Sequence, residues 1–438
     1  MGNTAIKPQN LPEKVVWYYL TGTFVAYYLG LQFLLTPLLG YFLLFLLLKQ
    51  LWQQTDETPA SEKIVISPSV WVWVIAMLMI EVTIVISHIN FNLGLTQIIR
   101  TSVGWSRQWA LLALFPLAGH LKIRPQIIYR AVCILAPQCL VVVAVDTLAA
   151  LVRLPVISFF SPFKILGGGN ALWEVEFFSN AIMRRNDFKL FAGWPTILGM
   201  ISVIYVYCAW QETDPKWRRI GVFTYLFLIF ASQTRTAIAC LIITFVLWQV
   251  LNYWSHPRLL FVAAFSCSFI GILLPKLTDW FNVLKDFVEN FRGKDSADSG
   301  QLRGYINRMT LARWQSDAPI WGHGVIAEFG EGPRITQGIP LGTHSTWFAI
   351  LYNHGLVGFM SLLIAFLYSF FHLFIKSIKH RDATTAKIGL MTLIVLAVFG
   401  FTEPIQVWAY VYWSLLLMLG IALSNRSTVA DELWVRST

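Results

Sequence analysis

Residues 15–52 read VVWYYLTGTFVAYYLGLQFLLTPLLGYFLLFLLLKQLW, an apolar run whose one charge is Lys49. A hydrocarbon core about 30 Å thick takes about 20 apolar residues per spanning helix. The run is therefore long enough for two crossings, and Gly30 and Pro37 mark where it breaks, into a hairpin or one bent element. It is far too long for the core of a signal peptide and has no cleavage-like flank, so the first span is expected to stay in the protein. Ile6 stands where a myristoylation signal carries Ser or Thr, so no acyl anchor is expected on Gly2.

The rest of the chain extends this pattern. Of 438 residues, 56% are hydrophobic and 13% charged, about half the charged share of a soluble domain, and the mean hydropathy is +0.61. These values exclude a water-soluble protein and imply an all-α polytopic membrane protein. Apolar runs separated by charged or Gly/Pro punctuation give about twelve candidate transmembrane helices, at 15–30, 34–51, 69–88, 104–120, 129–150, 191–209, 219–233, 236–253, 258–275, 347–375, 386–402 and 406–424. The chain thus divides into 1–275, carrying the first nine spans and an outer loop at about 151–190; a large, partly helical loop at 276–346; and 347–438, carrying the last three spans and a tail.

A net charge of +10 in a soluble chain would suggest nucleic acid, but here the basic residues fall in short loops between apolar runs. Lys7, Lys14, Lys49, Lys63, Lys122, Arg124, Arg130, Lys216, Arg218, Arg219, Arg258, Lys376, Lys379, Arg381 and Lys387 all fall on alternate sides of the spans in the same sense. By the positive-inside rule that side is cytoplasmic, both termini included, and both long loops face outward. No nucleic-acid partner is expected. The large loop balances its acidic and basic residues and is rich in Trp, Gly and Pro, a mixture that argues against disorder. Cys133, Cys139, Cys208, Cys240 and Cys267 lie in or beside apolar segments without C-x-x-C spacing, so neither a structural disulfide nor a zinc site is expected. No repeat halves the chain, as many transporters are halved.

Four places stand out from this background. In Ser232-Gln233-Thr234-Arg235-Thr236-Ala237 a guanidinium sits between two apolar runs on the outer side, where it either clamps a membrane-borne phosphate or pins a short hairpin. Arg303, Arg308 and Arg313 recur every five residues in the large loop, about 500° of helical rotation, so they step around a helix and do not line one face. Each can grip phosphate oxygens bidentately, and each also suits a solvated helix. His344, in Thr343-His344-Ser345-Thr346-Trp347, lies where the large loop meets the tenth span and can accept a proton near pH 7, although a lone interfacial His is more often structural. Arg100 to Arg107 enter the fourth span from outside, adding cations there or anchoring it with Trp105 and Trp109. Gly355 and Gly358 read as close backbone approach. Asp146 and Glu81 are isolated acids inside apolar runs, without an evident partner for a proton relay.

In order and spacing, the S-x-T-R-T-A run at 232–237, the Arg-bearing segment ending in P-I-W-G-H-G at 319–324, and H-S-T-W with a later G-L-V-G at 344–358 resemble the O-antigen ligase and O-antigen polymerase family of bacterial membrane glycosyltransferases. The likeness spans about 219–375. It implies a GT-C-like helical bundle in the bacterial inner membrane, with an outward cavity roofed by the large loop. It also implies transfer of glycan from an undecaprenyl-pyrophosphate carrier to an acceptor hydroxyl of a glycan or lipid on the periplasmic side, without metal or other cofactor. In that reading Arg235 and Arg303 or Arg308 bind the pyrophosphate, His344 is the general base, and Arg100, Tyr305 and Arg313 are possible additions. Two departures stand: Ser345 follows the His where the family commonly has Asn, and no single loop arginine matches uniquely. Polymerase and ligase share a donor and differ in acceptor, so both remain open. A small-anion transporter, a flippase of lipid-linked oligosaccharide and a protein O-oligosaccharyltransferase are the alternatives.

Overall fold

The computed structural model describes residues 6–59, 63–179, 188–253, 294–325, 341–343, 345–380 and 383–424, with the backbone course alone over 294–303. The opening run is a hairpin. Its first arm is two short helices, α1 (Leu11–Thr21) and α2 (Thr23–Tyr28), which meet at Gly22, and the chain turns at Gly30 (φ 66°) into α3 (Gln32–Trp52). A side chain at Gly30 would strike Ser161, so the turn needs both the left-handed conformation and the missing Cβ.

Among the described residues the next helices are α4 (Pro68–Asn90), α5 (Leu95–Arg107), α6 (Leu111–Ala118), α7 (Pro125–Leu151), α8 (Pro195–Trp210), α9 (Pro215–Ala231), α10 (Arg235–Tyr253) and α11 (Lys294–Asp317). The chain then forms α12 (Thr346–Lys379), α13 (Thr384–Phe399), the single turn α14 (Ile405–Trp408) and α15 (Trp413–Leu423). Among the described residues, α3, α4, α7, α10 and α12 are long and apolar enough to cross a membrane, and α8, α13 and α15 are shorter apolar helices. The chain is thus a polytopic membrane protein, and among the described residues some of the twelve expected spans are divided. The expected span at 104–120 is divided between α5 and α6 around Gln108 (φ −126°, ψ −78°), and the one at 406–424 between α14 and α15. The span expected at 258–275 lies outside the described residues.

The all-α expectation also needs correction. Ile157–Phe160 and Glu174–Phe178, in the loop between α7 and α8, pair as antiparallel strands β1 and β2. Both are short and rich in aromatic and β-branched residues, which suit a pleated half-buried surface better than a helix. The hairpin rests on the first helices through Trp173 against Phe33 (5.0 Å) and Phe177 stacked on Tyr28 (5.3 Å). Asp146 near the end of α7 accepts from the Ser179 amide (2.6 Å) and hydroxyl (3.0 Å), so this acid fastens the hairpin's trailing end.

Every residue of α15 is buried, as expected for a helix apolar on all faces. Gly420 lets its backbone meet that of α6 at Pro116, and Ala422 faces Gly389 of α13. Small residues of this kind set the spacing of membrane helices, because dispersion contacts replace the hydrophobic drive between them. One end of the bundle collects the basic residues in pairs. Arg124 meets Glu13 (2.8 Å), Arg130 meets Glu212 (2.7 Å), Lys387 reaches Asn252 (2.6 Å), and Lys376 donates to the carbonyls of Ala422 and Ser424 at the end of α15. The other end carries the β-hairpin, α5, the start of α10 and the break in α12.

Candidate functional site

The turn before Arg235 is built from small residues. Ser232, Thr234 and Ala237 are buried, Gln233 adopts φ 49°, and the Thr234 hydroxyl donates to the Ser232 carbonyl (3.1 Å). They close onto α8 at Gly199, where a Cβ would come within 2.8 Å of the Ser232 oxygen and 2.9 Å of Ala237. With its neighbours inlaid in this way, Arg235 becomes the first residue of α10 and its side chain is exposed. The Ala237 and Ile238 amides already donate to the Thr234 carbonyl (3.0 and 3.3 Å), and the helix dipole is positive at this end. A guanidinium and a helix start together make a place suited to an anion.

The second part of the site is a break in a membrane helix, filled by the loop. At Gly355 (φ 63°, ψ −165°) α12 is interrupted, which frees the carbonyls of the turn before and the amides of the turn after. At membrane depth such groups must find protein partners. The segment P-I-W-G-H-G supplies four: His323 and Gly324 donate to the carbonyls of Tyr352 (2.8 Å) and Asn353 (2.9 Å), and Leu356 and Val357 donate to the carbonyls of Pro319 (2.9 Å) and Ile320 (3.2 Å). A Cβ at Gly322 would collide with the His354 amide, and one at Gly355 with the Ile320 carbonyl. The close approach expected at Gly355 is therefore present, but its partner is the loop. Ser87 of α4 donates to the Trp321 carbonyl (2.7 Å) and fixes the segment from the other side.

The loop helix α11 lies on this junction. Ile306, Leu341 and Tyr352 form a small buried cluster, with Tyr305 and Met309 packed against it. Arg308 and Arg313 are exposed on α11; the Arg303 side chain lies outside the described residues, as does His344. Both flanks of His344 are tied down. The Gly342 amide faces the Thr310 hydroxyl of α11 (3.4 Å) and its carbonyl accepts from Asn353 (3.3 Å). Ser345 donates to the Gly400 carbonyl (3.0 Å), and Thr346 to that of Glu403 (2.7 Å). The loop arginines and the flanks of His344 thus share the α11–α12 junction, while Arg235 stands on the α8–α10 pair.

Arg100 is exposed on α5, which buries none of its residues and presents Leu95, Ile99 and Val103 outward along one stripe. Arg107 reaches back to the Leu166 carbonyl of the loop between α7 and α8 (3.0 Å). Trp109 is not an interfacial anchor: it is buried, edge-on to His354 (5.4 Å). Glu81 leaves Oε2 buried without a hydrogen-bond partner among the described residues.

Sequence reasoning passed over three groups here. Glu403 is buried and accepts from the Thr196 hydroxyl (2.9 Å), a carboxylate beside the H-S-T segment whose sequence signal was an acid between an apolar run and Pro404. His88 lies against Gly324 and bonds the Ile84 carbonyl and the Thr101 hydroxyl. His323 lies in the junction itself. Among the described residues no group of His, Cys, Asp and Glu is arranged to hold a metal ion, and Cys133, Cys139, Cys208 and Cys240 are free and buried.

A comparison with curated proteins gives no match. Residues 220–363, roughly a third of the chain, match the O-antigen ligase family model. The matched stretch contains Arg235, the arginine helix, the P-I-W-G-H-G segment, His344 and the break at Gly355, so over this third the chain is similar to the O-antigen ligase family.

Proposed function

We propose that the protein transfers or polymerises glycan on the non-cytoplasmic face of a bacterial inner membrane, taking it from an undecaprenyl-pyrophosphate donor to an acceptor hydroxyl. The observation that carries this reading is the family match over the stretch that holds Arg235, Arg303, Arg308 and His344. The basic ends of the helices then face the cytoplasm, both termini with them, and the Arg235 end faces outward.

In the reaction the bond from the anomeric carbon to the pyrophosphate oxygen breaks, and a bond to the acceptor oxygen forms. His344 takes the acceptor's proton, and the electron pair leaves with pyrophosphate. Arg235, with Arg303 or Arg308, neutralises that departing charge; such electrostatic stabilisation is often the largest catalytic contribution, and it does for this leaving group what a divalent cation would do. A base on the face opposite the leaving group gives inversion. Arg100, Tyr305 and Arg313 are further candidates for donor contacts.

Deleting the gene in its host and complementing with wild type, His344→Ala or Arg235→Ala tests this, with surface polysaccharide resolved by length. Wild type restores the long glycan; each variant accumulates in the membrane at the wild-type level and restores none. Full restoration by either variant removes that residue from the mechanism. Carrier-linked chains of full length in the deletion point to a ligase, and single repeat units to a polymerase.

A further inference from the structure

His323 is held more tightly than a loop residue needs to be. Its ring lies parallel to Tyr352 (centroids 4.1 Å apart, 12° between planes) and near-parallel to Phe91 at the end of α4 (5.4 Å, 19°). Nδ1 faces the Tyr352 carbonyl at 3.1 Å. A carbonyl only accepts, so this contact assigns the proton of the neutral ring to Nδ1 and leaves the lone pair on Nε2. That Nε2 is buried, has no hydrogen-bond partner among the described residues, and lies 3.7 Å from the Asp317 carboxylate. The neutral ring therefore turns a lone pair toward a carboxylate, and a second proton turns the same contact into an attraction between charges.

Asp317 is the last residue of α11, where the helix dipole is negative and a carboxylate is unfavourable unless a cation faces it. The charged and titratable groups around the ring, among the described residues, are Arg313 and Asp317 from α11, Tyr352 from α12, and His88 from α4, against which Gly324 packs. Arg313 and Asp317 both act on the Tyr352 phenol. One cluster thus joins the end of the arginine helix, the loop segment and the broken span.

We propose that His323 is the positioning residue of the arginine helix: protonation of its Nε2 closes an ion pair with Asp317 that holds α11 against the break in α12. The Asp317 carboxyl lies below the usual carboxylate range, first through the Ser316 hydroxyl and then through His323. The latch rests on geometry alone. What it does for catalysis rests on the reading of α11 as a donor-binding element.

The test is hydrogen exchange on the full-length protein in lipid nanodiscs, without substrate, following the amides of residues 304–317 at pH 5.5 and pH 8 after correction for intrinsic rates. In the wild type, protection at the acidic pH rises by roughly three- to tenfold, the size of one partly exposed charge-assisted contact. Asp317→Asn and His323→Asn flatten this difference; Asn at 323 can still donate to the Tyr352 carbonyl, so the segment stays docked. Equal protection at both pH values in the wild type, or a difference that survives in Asp317→Asn, overturns the proposal. A transfer assay on the same proteins separates the two ideas. The donor KM falls at acidic pH in the wild type and not in Asp317→Asn, while kcat follows the same pH profile in both, as set by the general base. If no glycan is transferred even by the wild type, the family reading fails and the exchange result still decides the latch.

Discussion

Two glycines bear more of the site than any charged residue whose side chain is described. Gly322 and Gly355 adopt φ of 76° and 63°, and each lies against the other's strand of backbone with no room for a Cβ. Gly322→Ala thus meets both a strained conformation and a collision with backbone, neither of which relaxes by moving a side chain. We expect this substitution to cut glycan transfer by at least tenfold and to expose α11 to proteolysis, while the helices away from the junction keep their protection; hydrogen exchange mapped along the chain checks both. Equal protection of α11 in the variant would show that the loop docks by another route. Gly355 was legible as a point of close approach, because a Gly before an apolar run has few other uses. Its partner Gly322 was not, since loop and helix meet across a separation in sequence that no local pattern encodes.

At the scale of elements, the placement of α11 and the H-S-T segment depends on side chains that hold one helix end to another. Glu403 is the clearest case: its carbonyl receives the Thr346 hydroxyl and its carboxylate the Thr196 hydroxyl, which joins α8 and the turn after α13 to the start of α12. Glu403→Gln keeps an acceptor for Thr196, whereas Glu403→Ala leaves that hydroxyl and the site's floor without one, at about 1–3 kcal/mol for the lost buried partner. The expected ranking of transfer rates is wild type, then Gln, then Ala, at equal protein level; an Ala variant as active as the wild type would show that the floor does not position His344. The long spans α3, α4, α7, α10 and α12 were readable from apolar length. The division of 104–120 was not, because α5 is amphipathic, and a run of mixed residues beside an apolar one reads as a single span. Arg235 was recognisable because a guanidinium between apolar runs is costly. Its companions on α11 were ambiguous, since a solvated helix displays arginines equally well.

Over the whole molecule, the basic end of the bundle is where ionisation governs stability. Glu13 and Glu212 are buried, and burial alone would raise their carboxyls. Their hydrogen bonds to Arg124 and Arg130, together with backbone amides, outweigh it and leave both below the usual value. A carboxyl lowered in the folded state stabilises the fold above its unfolded pKa, and that contribution is lost as pH falls through the folded value. Thermal stability in nanodiscs should therefore hold from pH 8 to about pH 5 and drop below it, with a shallower drop in Glu13→Gln. Arg130→Ala, which strands a buried carboxylate, should cost about 3–5 kcal/mol at neutral pH and less in acid, as Glu212 takes up a proton. The same two pairs belong to the end whose charges set orientation, so their sidedness can be read directly. With Cys267 replaced by Ser, Ile165→Cys at the exposed tip of the outer loop should react with a membrane-impermeant maleimide in intact cells, after the outer membrane is opened if the host has one. Thr213→Cys, beside Glu212, should react only after the inner membrane is opened. The reverse pattern would turn the arginines toward the cytoplasm and away from any acceptor outside it, and the proposed reaction would fail with the orientation.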